Sequence, residues 1–153
     1  MPRISDLQRN QRFAHAALAG VVADVSELVD QPPDLGSAWL PPLLSALDRL
    51  AFMLRDHFRA EEASHLYRGL GHDFPWLAFR LERLKGEHSE MLDELRAYLA
   101  PAADGVPSPA PARRIRIRVH MLLAKLHRHE AEETEILLAA HWDEERRARS
   151  WDG

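Results

Sequence analysis

The feature that most constrains this chain is a histidine followed four residues later by a glutamate, found twice on otherwise apolar helical stripes. The pairs are His57 with Glu61 in the segment DHFRAEEASH and His129 with Glu133 in HRHEAEET. Residues four apart on a helix lie on one face, about 6 Å apart along the axis. Each pair therefore places an imidazole beside a carboxylate at positions where apolar core residues are expected.

Proline and glycine divide the chain into four segments with helical periodicity. Apolar residues recur within each segment at alternating steps of three and four, which indicates helices that turn one face toward a common core. We predict helices over about residues 5–29, 41–68, 75–99 and 113–149, with a proline-rich linker over 100–112. This order predicts an all-α fold, an up-down-up-down antiparallel four-helix bundle that forms a single domain over residues 1–153.

Histidines and glutamates interrupt the predicted core stripes of all four helices. The interrupting residues are His15, His57, Glu61, His88, His129 and Glu133. Burying an unpaired polar group costs about 2–7 kcal/mol, and a charged group costs more, so these side chains require partners. Four imidazoles and two carboxylates are too many for one tetrahedral ion, but they suit two ions with carboxylates bridging between them. The sequence therefore predicts a metal site at these six positions.

The spacing of these residues indicates that the chain consists of two similar hairpins. His15 and His57 are 42 positions apart, and His88 and His129 are 41 positions apart. Each hairpin contributes two histidines and one glutamate. Counting from the predicted turns places His15, His57 and His88 at about one level of an antiparallel bundle.

The composition excludes several other kinds of site and partner. The chain has no cysteine, so a metal must bind nitrogen and oxygen. With 20 basic and 24 acidic residues, the net charge is −4 and both signs are interspersed, so we expect no nucleic acid and no membrane partner. The first residues lack the apolar stretch of a signal peptide, which predicts a cytoplasmic protein. The sequence identifies no protein partner.

Other interpretations of the polar positions remain open. An interaction bundle with a hydrogen-bonded polar core would need no metal, and a single buried histidine is more often a core residue than a ligand. His65 is a candidate for a further ligand because it follows Glu61 by four residues. Glu62, Glu87 and Glu132 are expected to lie in solvent or to accept a hydrogen bond from an imidazole.

The ordered pattern of His15, His57 with Glu61, His88, and His129 with Glu133 resembles the HHE branch of the hemerythrin-like family. The similarity extends over about residues 5–140. It implies a four-helix bundle that holds a non-haem diiron centre, with these six residues as its ligands. The implied cofactor is two iron ions with an oxo or hydroxo bridge, while zinc or manganese stays open because imidazole and carboxylate accept all three metals.

The pattern departs from that of the oxygen-carrying hemerythrins on two helices. Those proteins have HxxxH on the third helix and HxxxxD on the fourth, whereas here Leu84 precedes His88 and Thr134 follows Glu133. Fewer protein ligands leave coordination positions for small molecules. The resemblance thus implies a stress-response protein that reacts with or senses peroxide, dioxygen or nitric oxide. An iron-responsive sensor or an iron-binding protein without catalytic turnover is the alternative, and whether the chain is an enzyme stays open.

Overall fold

The computed structural model describes residues 2–31, 38–99 and 109–151, and all regular structure within these ranges is helical. The helices are α1 (Ile4–Asp30), α2 (Leu40–Ala63), α3 (His65–Arg68), α4 (Leu70–Asp73), α5 (Ala78–Leu99) and α6 (Pro109–Trp151), and a 3-10 turn spans Pro75–Leu77. The prediction of an all-helical protein is confirmed for the described residues. Six α-helices are found there instead of the predicted four, because two short helices lie between α2 and α5.

The predicted helix over residues 41–68 is interrupted at Ser64, so the prediction of one continuous helix is wrong. Ser64 has an extended backbone with φ −80° and ψ 166°. Its backbone NH and its hydroxyl both donate to the carbonyl oxygen of Glu61, at 2.9 and 2.6 Å. A serine bonded to nearby backbone competes with the helical hydrogen-bond ladder. As a result, α2 ends two residues after Glu61 and the chain resumes as α3.

The last helix is longer than predicted at both ends. We predicted residues 113–149, whereas α6 spans Pro109–Trp151. The predicted linker over 100–112 is therefore wrong from residue 109 onward, and its earlier part, 100–108, lies outside the described residues. Pro109 and Pro111 lie in the first turn. Backbone NH groups in a first turn make no hydrogen bond within the helix, so proline, which lacks this NH, is tolerated there.

The four long helices contact one another in a ring. Helices α2 and α6 each pack against both α1 and α5. A helix with two such neighbours buries a wide apolar stripe. On α2, α5 and α6, and in the 3-10 turn before α5, the apolar positions of the predicted stripes are buried, namely Leu43, Leu47, Leu50, Leu54, Leu77, Leu81, Leu84, Met91, Leu95, Ile115, Val119, Leu122, Leu126, Ile136 and Ala140. Among the described helices, none combines the length and the apolar composition needed to cross a membrane.

The buried apolar side chains form two separate clusters. The larger apolar cluster includes Val25, Leu54, Met91 and Leu126, and the smaller apolar cluster includes Leu7, Leu66, Leu84 and Ile136. The six candidate site residues lie between the two clusters along the long helices, and we call them the polar layer. On α5, for example, His88 follows Leu84 by one turn and precedes Met91 by one turn. Apolar side chains above and below therefore keep bulk water away from the polar layer.

Candidate metal centre

The structure brings all six predicted site residues together. His15 lies on α1, His57 and Glu61 lie on α2, His88 lies on α5, and His129 and Glu133 lie on α6. Their potential ligand atoms form two groups, each with all atoms within 4.8 Å of one another: Glu61, His88, His129 and Glu133, and His15, His57 and Glu61. Glu61 belongs to both groups, so its carboxylate joins the two halves of the cluster.

The four imidazoles turn the same ring nitrogen, Nε2, toward the two carboxylates of the polar layer. His57 Nε2 lies 2.6 Å from Glu61 Oε1, and His88 Nε2 lies 3.3 Å from Glu61 Oε2. The Nε2 atoms of the other two imidazoles lie near Glu133 Oε1, at 3.4 Å for His15 and 3.5 Å for His129. Four nitrogens and two carboxylates thus converge on one interior space.

Two of the imidazoles are oriented from outside the cluster by glutamates. His88 Nδ1 donates to Glu62 Oε1 at 2.9 Å, and His129 Nδ1 donates to Glu87 Oε2 at 2.8 Å. Because an ionised carboxylate only accepts, Nδ1 carries the proton that faces it, and Nε2 is left as the nitrogen that can bind a metal. Carboxylate–histidine pairs of this kind fix the tautomer and the orientation of imidazoles that bind metals. Glu62 and Glu87 therefore have the acceptor role that the sequence left open.

The geometry at the centre of the cluster fits a cation. His88 Nε2 and His129 Nε2 are 3.1 Å apart, so two imidazole nitrogens that can bind a metal face each other. Two nitrogens that bind one ion at about 2.1 Å and at a right angle lie roughly 3 Å apart. Glu61 Oε2 and Glu133 Oε1 are also buried without a hydrogen-bond donor among the described residues. Lone pairs and bare carboxylate oxygens that share one space are the donors a divalent cation uses.

The charge of the cluster also favours a cation. Burial opposes the ionisation of Glu61, but the surrounding imidazoles, His15 first among them, outweigh it and hold the pKa of this carboxyl far below its usual range. Burial likewise acts to lower the pKa of His15, yet Glu133 and Glu61 outweigh it and raise that pKa to about 10. In the metal-free cluster His15 therefore carries a proton that balances part of the carboxylate charge.

Phe58 holds the imidazole planes from the side of the larger apolar cluster. Its ring is stacked on His88 with centroids 4.1 Å apart and an interplanar angle of 8°. Its ring lies edge-on to His57 and His129, at 5.7 and 5.8 Å. Phe58 is buried and so contacts three of the four histidines while it excludes water from them.

Gln11 is a polar residue of the cluster that the pattern of histidines and glutamates does not include. It lies one turn before His15 on α1 and is only 8% exposed. Its Nε2 donates to Glu61 Oε1 at 2.7 Å and lies 2.9 Å from His15 Nε2. The helical spacing from His15 is a signal that could have found it, since residues four apart share a face.

Tyr67 is the second missed residue, and it reaches the cluster from α3. Its hydroxyl donates to Glu133 Oε2 at 2.7 Å, and its ring lies edge-on to His88 with centroids 5.2 Å apart. Burial and the neighbouring Glu133 carboxylate raise the pKa of Tyr67 far above its ordinary value, so the phenol stays protonated and donates. The position of Tyr67 depends on the break at Ser64, which no periodic pattern indicates.

Replacing Tyr67 by phenylalanine is expected to lower the free energy of unfolding by about 1–3 kcal/mol, because Glu133 Oε2 would remain buried without its donor. Urea denaturation of the metal-free protein, followed by circular dichroism, measures the change. Tyr98→Phe is a matched control, since the Tyr98 hydroxyl donates at 3.2 Å to Glu94, whose side chain is 38% exposed. We expect less than about 1 kcal/mol for the control. Equal losses in both variants would contradict the role assigned to Tyr67.

His65 and Glu132 lie outside both groups of potential ligands. His65 Nε2 is 2.7 Å from Asp73 Oδ2, and its ring packs over Gly69, where even a Cβ atom would collide with it. Glu132 forms ion pairs with Arg80 and Arg83. These contacts hold both side chains away from the polar layer.

Comparison with known proteins decides the family. The sequence profile of the hemerythrin HHE cation binding domain matches residues 6–140. The chain belongs to the hemerythrin HHE family. The matched region contains every residue of the polar layer as well as Gln11 and Tyr67. No curated protein and no solved structure matches the chain significantly. The HHE domain is a cation-binding domain, and the buried histidine–glutamate cluster of this member could hold a metal.

Proposed function

We propose that this HHE protein binds two iron ions and reacts with or senses peroxide, dioxygen or nitric oxide. The ligands in this proposal are His15, His57, Glu61, His88, His129 and Glu133. The observation that carries the proposal is the pair of facing imidazole nitrogens, 3.1 Å apart, beside two buried carboxylate oxygens without donors. Two overlapping groups of donors that share Glu61 support two ions rather than one. Zinc and manganese accept the same donors, so the metal itself must be measured.

The fold in this proposal is an up-down-up-down four-helix bundle. Antiparallel neighbours bring together residues from opposite ends of their helices. Ion pairs between neighbouring helices support this direction. Asp24–Arg49 joins α1 to α2, Asp30–His120 joins α1 to α6, and Arg80–Glu135 and Glu90–Lys125 join α5 to α6. The contacts of Glu61 and Glu62 with His88 place α5 beside the end of α2.

The chain prepares the site for reactive small molecules in several ways. Two iron ions would supply redox chemistry and coordination positions for an external ligand. Glu62 and Glu87 keep a proton on Nδ1 of two imidazoles, and Tyr67 holds Glu133 in place. Leu84, at the position where oxygen carriers have a further histidine, is fully buried and apolar. A dry site with fewer protein ligands supports reactivity or sensing more than dioxygen carriage.

The second candidate function is an iron-responsive sensor or an iron-binding protein without catalytic turnover. The observation that favours it is the origin of the donors, which come from four separate helices. A site assembled in this way exists only in the folded chain, so metal binding and folding are coupled. Such coupling lets iron availability control the amount of folded protein.

Metal analysis and one spectrum test both candidates. Protein expressed with iron and purified without chelators is expected to contain about two iron ions per chain and to show an oxo-to-iron absorption band in air. Steady peroxide consumption that is lost in His57→Ala supports the redox function. Two bound iron ions with no consumption above that of free iron support the sensor. Less than one metal ion per chain contradicts both.

The affinity of the site for cations is expected to increase with pH. The pKa of His15 is raised to about 10, so at neutral pH a proton remains on the ring nitrogen that a cation must bind. Below that pKa a cation must displace this proton, so the apparent affinity is expected to increase about tenfold for each unit by which the pH is raised. Anaerobic Fe²⁺ titrations between about pH 6 and about pH 8 measure the slope, and a pH-independent affinity would contradict the expectation.

In the metal-free protein the raised pKa of His15 stabilises the folded state below pH 6.5, and this contribution is lost as the pH rises through about 10.

A further inference from the structure

The face of α6 opposite its buried stripe carries large apolar side chains in a row along the helix. Nine large apolar side chains are exposed among the described residues, and four of them lie on this face: Ile117, Met121, Leu138 and Trp142. Their exposed fractions range from 46% to 66%. Single exposed apolar residues are normal in a soluble protein, whereas an apolar row on one face indicates an interaction site. The row consists of Arg114, Ile117, Met121, Ala124, Arg128, Ala131, Glu135, Leu138, Trp142 and Glu145, and we call it the outer α6 row.

The outer side of α5 provides a comparison within the same bundle. Its exposed positions from residue 82 to residue 96 are all polar or glycine, namely Glu82, Arg83, Lys85, Gly86, Ser89, Glu90, Asp93 and Arg96. Six of the ten members of the outer α6 row, in contrast, are apolar. Apolar area that stays in water contributes nothing to the stability of the single chain. The difference between the two helices indicates that α6 has a partner on this side and that α5 does not need one.

The outer α6 row has the spacing and the order of a helix that packs against a second copy of itself. Its members follow one another at alternating steps of three and four residues, which is the repeat of a coiled-coil seam. If two copies of α6 run antiparallel about a two-fold axis level with residues 129 and 130, Ile117 lies opposite Trp142 of the second copy. In the same arrangement Met121 lies opposite Leu138 of the second copy. The large apolar side chains of the row therefore face one another.

The charges of the outer α6 row favour the antiparallel direction. Arg114 then lies opposite Glu145 of the second copy, and Arg128 lies one helical turn from Glu135 of the second copy. A parallel pair would instead place each charge beside the same charge of the second copy. Within one chain both glutamates form ion pairs at 3.4 Å that are partly exposed to solvent, and such pairs contribute little. Both carboxylates can therefore pair with a second copy.

We propose that the outer α6 row is the interface of a two-fold symmetric, antiparallel dimer of this chain. A self-complementary surface gives a closed dimer, because both copies use the same residues. One helix from each copy forms an interface at the small end of the specific range, so we expect a reversible dimer with a Kd of about 1–10 μM. The row contains none of the six candidate metal ligands, so the dimer does not depend on the proposed iron centre.

Replacing Met121 by glutamate tests the interface. Met121 is 66% exposed, so the folded chain tolerates the change, whereas in the dimer the new carboxylate would face Leu138 of the second copy without a partner. Sedimentation equilibrium measures the Kd, which we expect to rise at least about tenfold. Phe79→Glu is the matched control, because Phe79 is 81% exposed but lies on α5, and it should leave the Kd unchanged. Circular dichroism shows whether both variants are folded.

Exchanging the charges at the ends of the row tests the identity of the partner. Arg114→Glu places two carboxylates opposite each other at both ends of the dimer, so the Kd should rise about three- to tenfold. Adding Glu145→Arg to the same chain restores opposite charges between the two copies, so the double variant should return to within about twofold of the wild-type Kd. A different partner keeps its own charges, and the double variant would then bind more weakly than either single variant.

Disulfide formation tests the direction of the two helices, because the chain has no cysteine of its own. Arg128 lies opposite Ala131 of the second copy, beside the two-fold axis. Arg128→Cys protein mixed with Ala131→Cys protein should therefore form a mixed disulfide under mild oxidation, and each variant alone should form much less. Disulfides that form within each variant alone, in preference to the mixture, indicate parallel helices and overturn the antiparallel arrangement.

A wild-type chain that is still monomeric at about 200 μM, well above the expected Kd, would overturn the dimer, and the outer α6 row would then bind a different protein. Equal increases in the Kd of Met121→Glu and Phe79→Glu would also overturn it. Repeating the sedimentation measurement on iron-free protein separates the two proposals. A dimer without iron supports the interface even if the iron centre fails, and iron binding by a monomer supports the centre alone.

Discussion

Replacing Glu61 by alanine is expected to reduce the bound iron from two ions to fewer than one per chain. Glu61 belongs to both groups of potential ligands, and its two oxygens approach His57 and His88 at 2.6 and 3.3 Å. One substitution therefore removes a donor from each half of the cluster. The loss of iron affinity should therefore exceed the loss of about 10–100-fold that is typical when a residue that only hydrogen-bonds to a metal ligand is removed.

Glu62 provides the matched control because it is the adjacent residue on the same helix. It accepts from His88 Nδ1 at 2.9 Å and belongs to neither group of potential ligands. We expect Glu62→Ala to weaken iron binding about 10–100-fold but to keep two ions at saturating metal. Anaerobic titration and elemental analysis measure both variants. Two iron ions retained by Glu61→Ala, or equal losses in the two variants, would contradict the bridging role of Glu61.

Removing the metals from the wild-type protein is expected to lower the melting temperature by about 10–20 °C. An ion that binds only the folded state stabilises it by about 2.7 kcal/mol at 100 times its Kd, so two ions contribute about 5 kcal/mol. In a chain of this size, each kcal/mol shifts the melting temperature by about 2–4 °C. The physical reason is that the donors come from four helices and converge only in the folded chain.

Calorimetry with and without a strong iron chelator measures this shift. The Glu61→Ala protein is the control, because a variant that no longer holds iron should melt at the same temperature in both conditions. An unchanged melting temperature after complete removal of metal from the wild-type protein would refute the coupling between metal and fold. It would also remove the physical basis of the iron-responsive sensor.

Helical periodicity was sufficient to select the residues that meet in the polar layer. His57, Glu61, His88, His129 and Glu133 occupy positions on apolar stripes, and a stripe that turns toward a core carries its polar members inward. The long helices were predictable for the same reason, since a 3.6-residue period extends over many turns. The structure places these side chains together as the stripes indicated.

The features that could not be predicted from the sequence depend on an irregular backbone or on residue types that carry little information about burial. Ser64 ends α2 through two hydrogen bonds to the carbonyl of Glu61, and serines in that position often continue a helix. Tyr67 reaches Glu133 only because of this break. Gln11 lies on the correct face of α1, but glutamine is mostly exposed in proteins and so carries little signal of burial. Pro109 and Pro111 looked like linker residues, although a first helical turn accepts them.

The division of the interior into a larger and a smaller apolar cluster separates two properties that most small proteins must optimise together. Substitutions among Leu43, Leu47 and Leu50, well away from the polar layer, change the packing that holds the folded chain together. Substitutions at Leu66, Leu84 or Ile136 change both the packing and the polarity beside the candidate metal centre. Natural variation could therefore adjust stability at the far end of the larger cluster without changing the surroundings of the residues that would hold a metal.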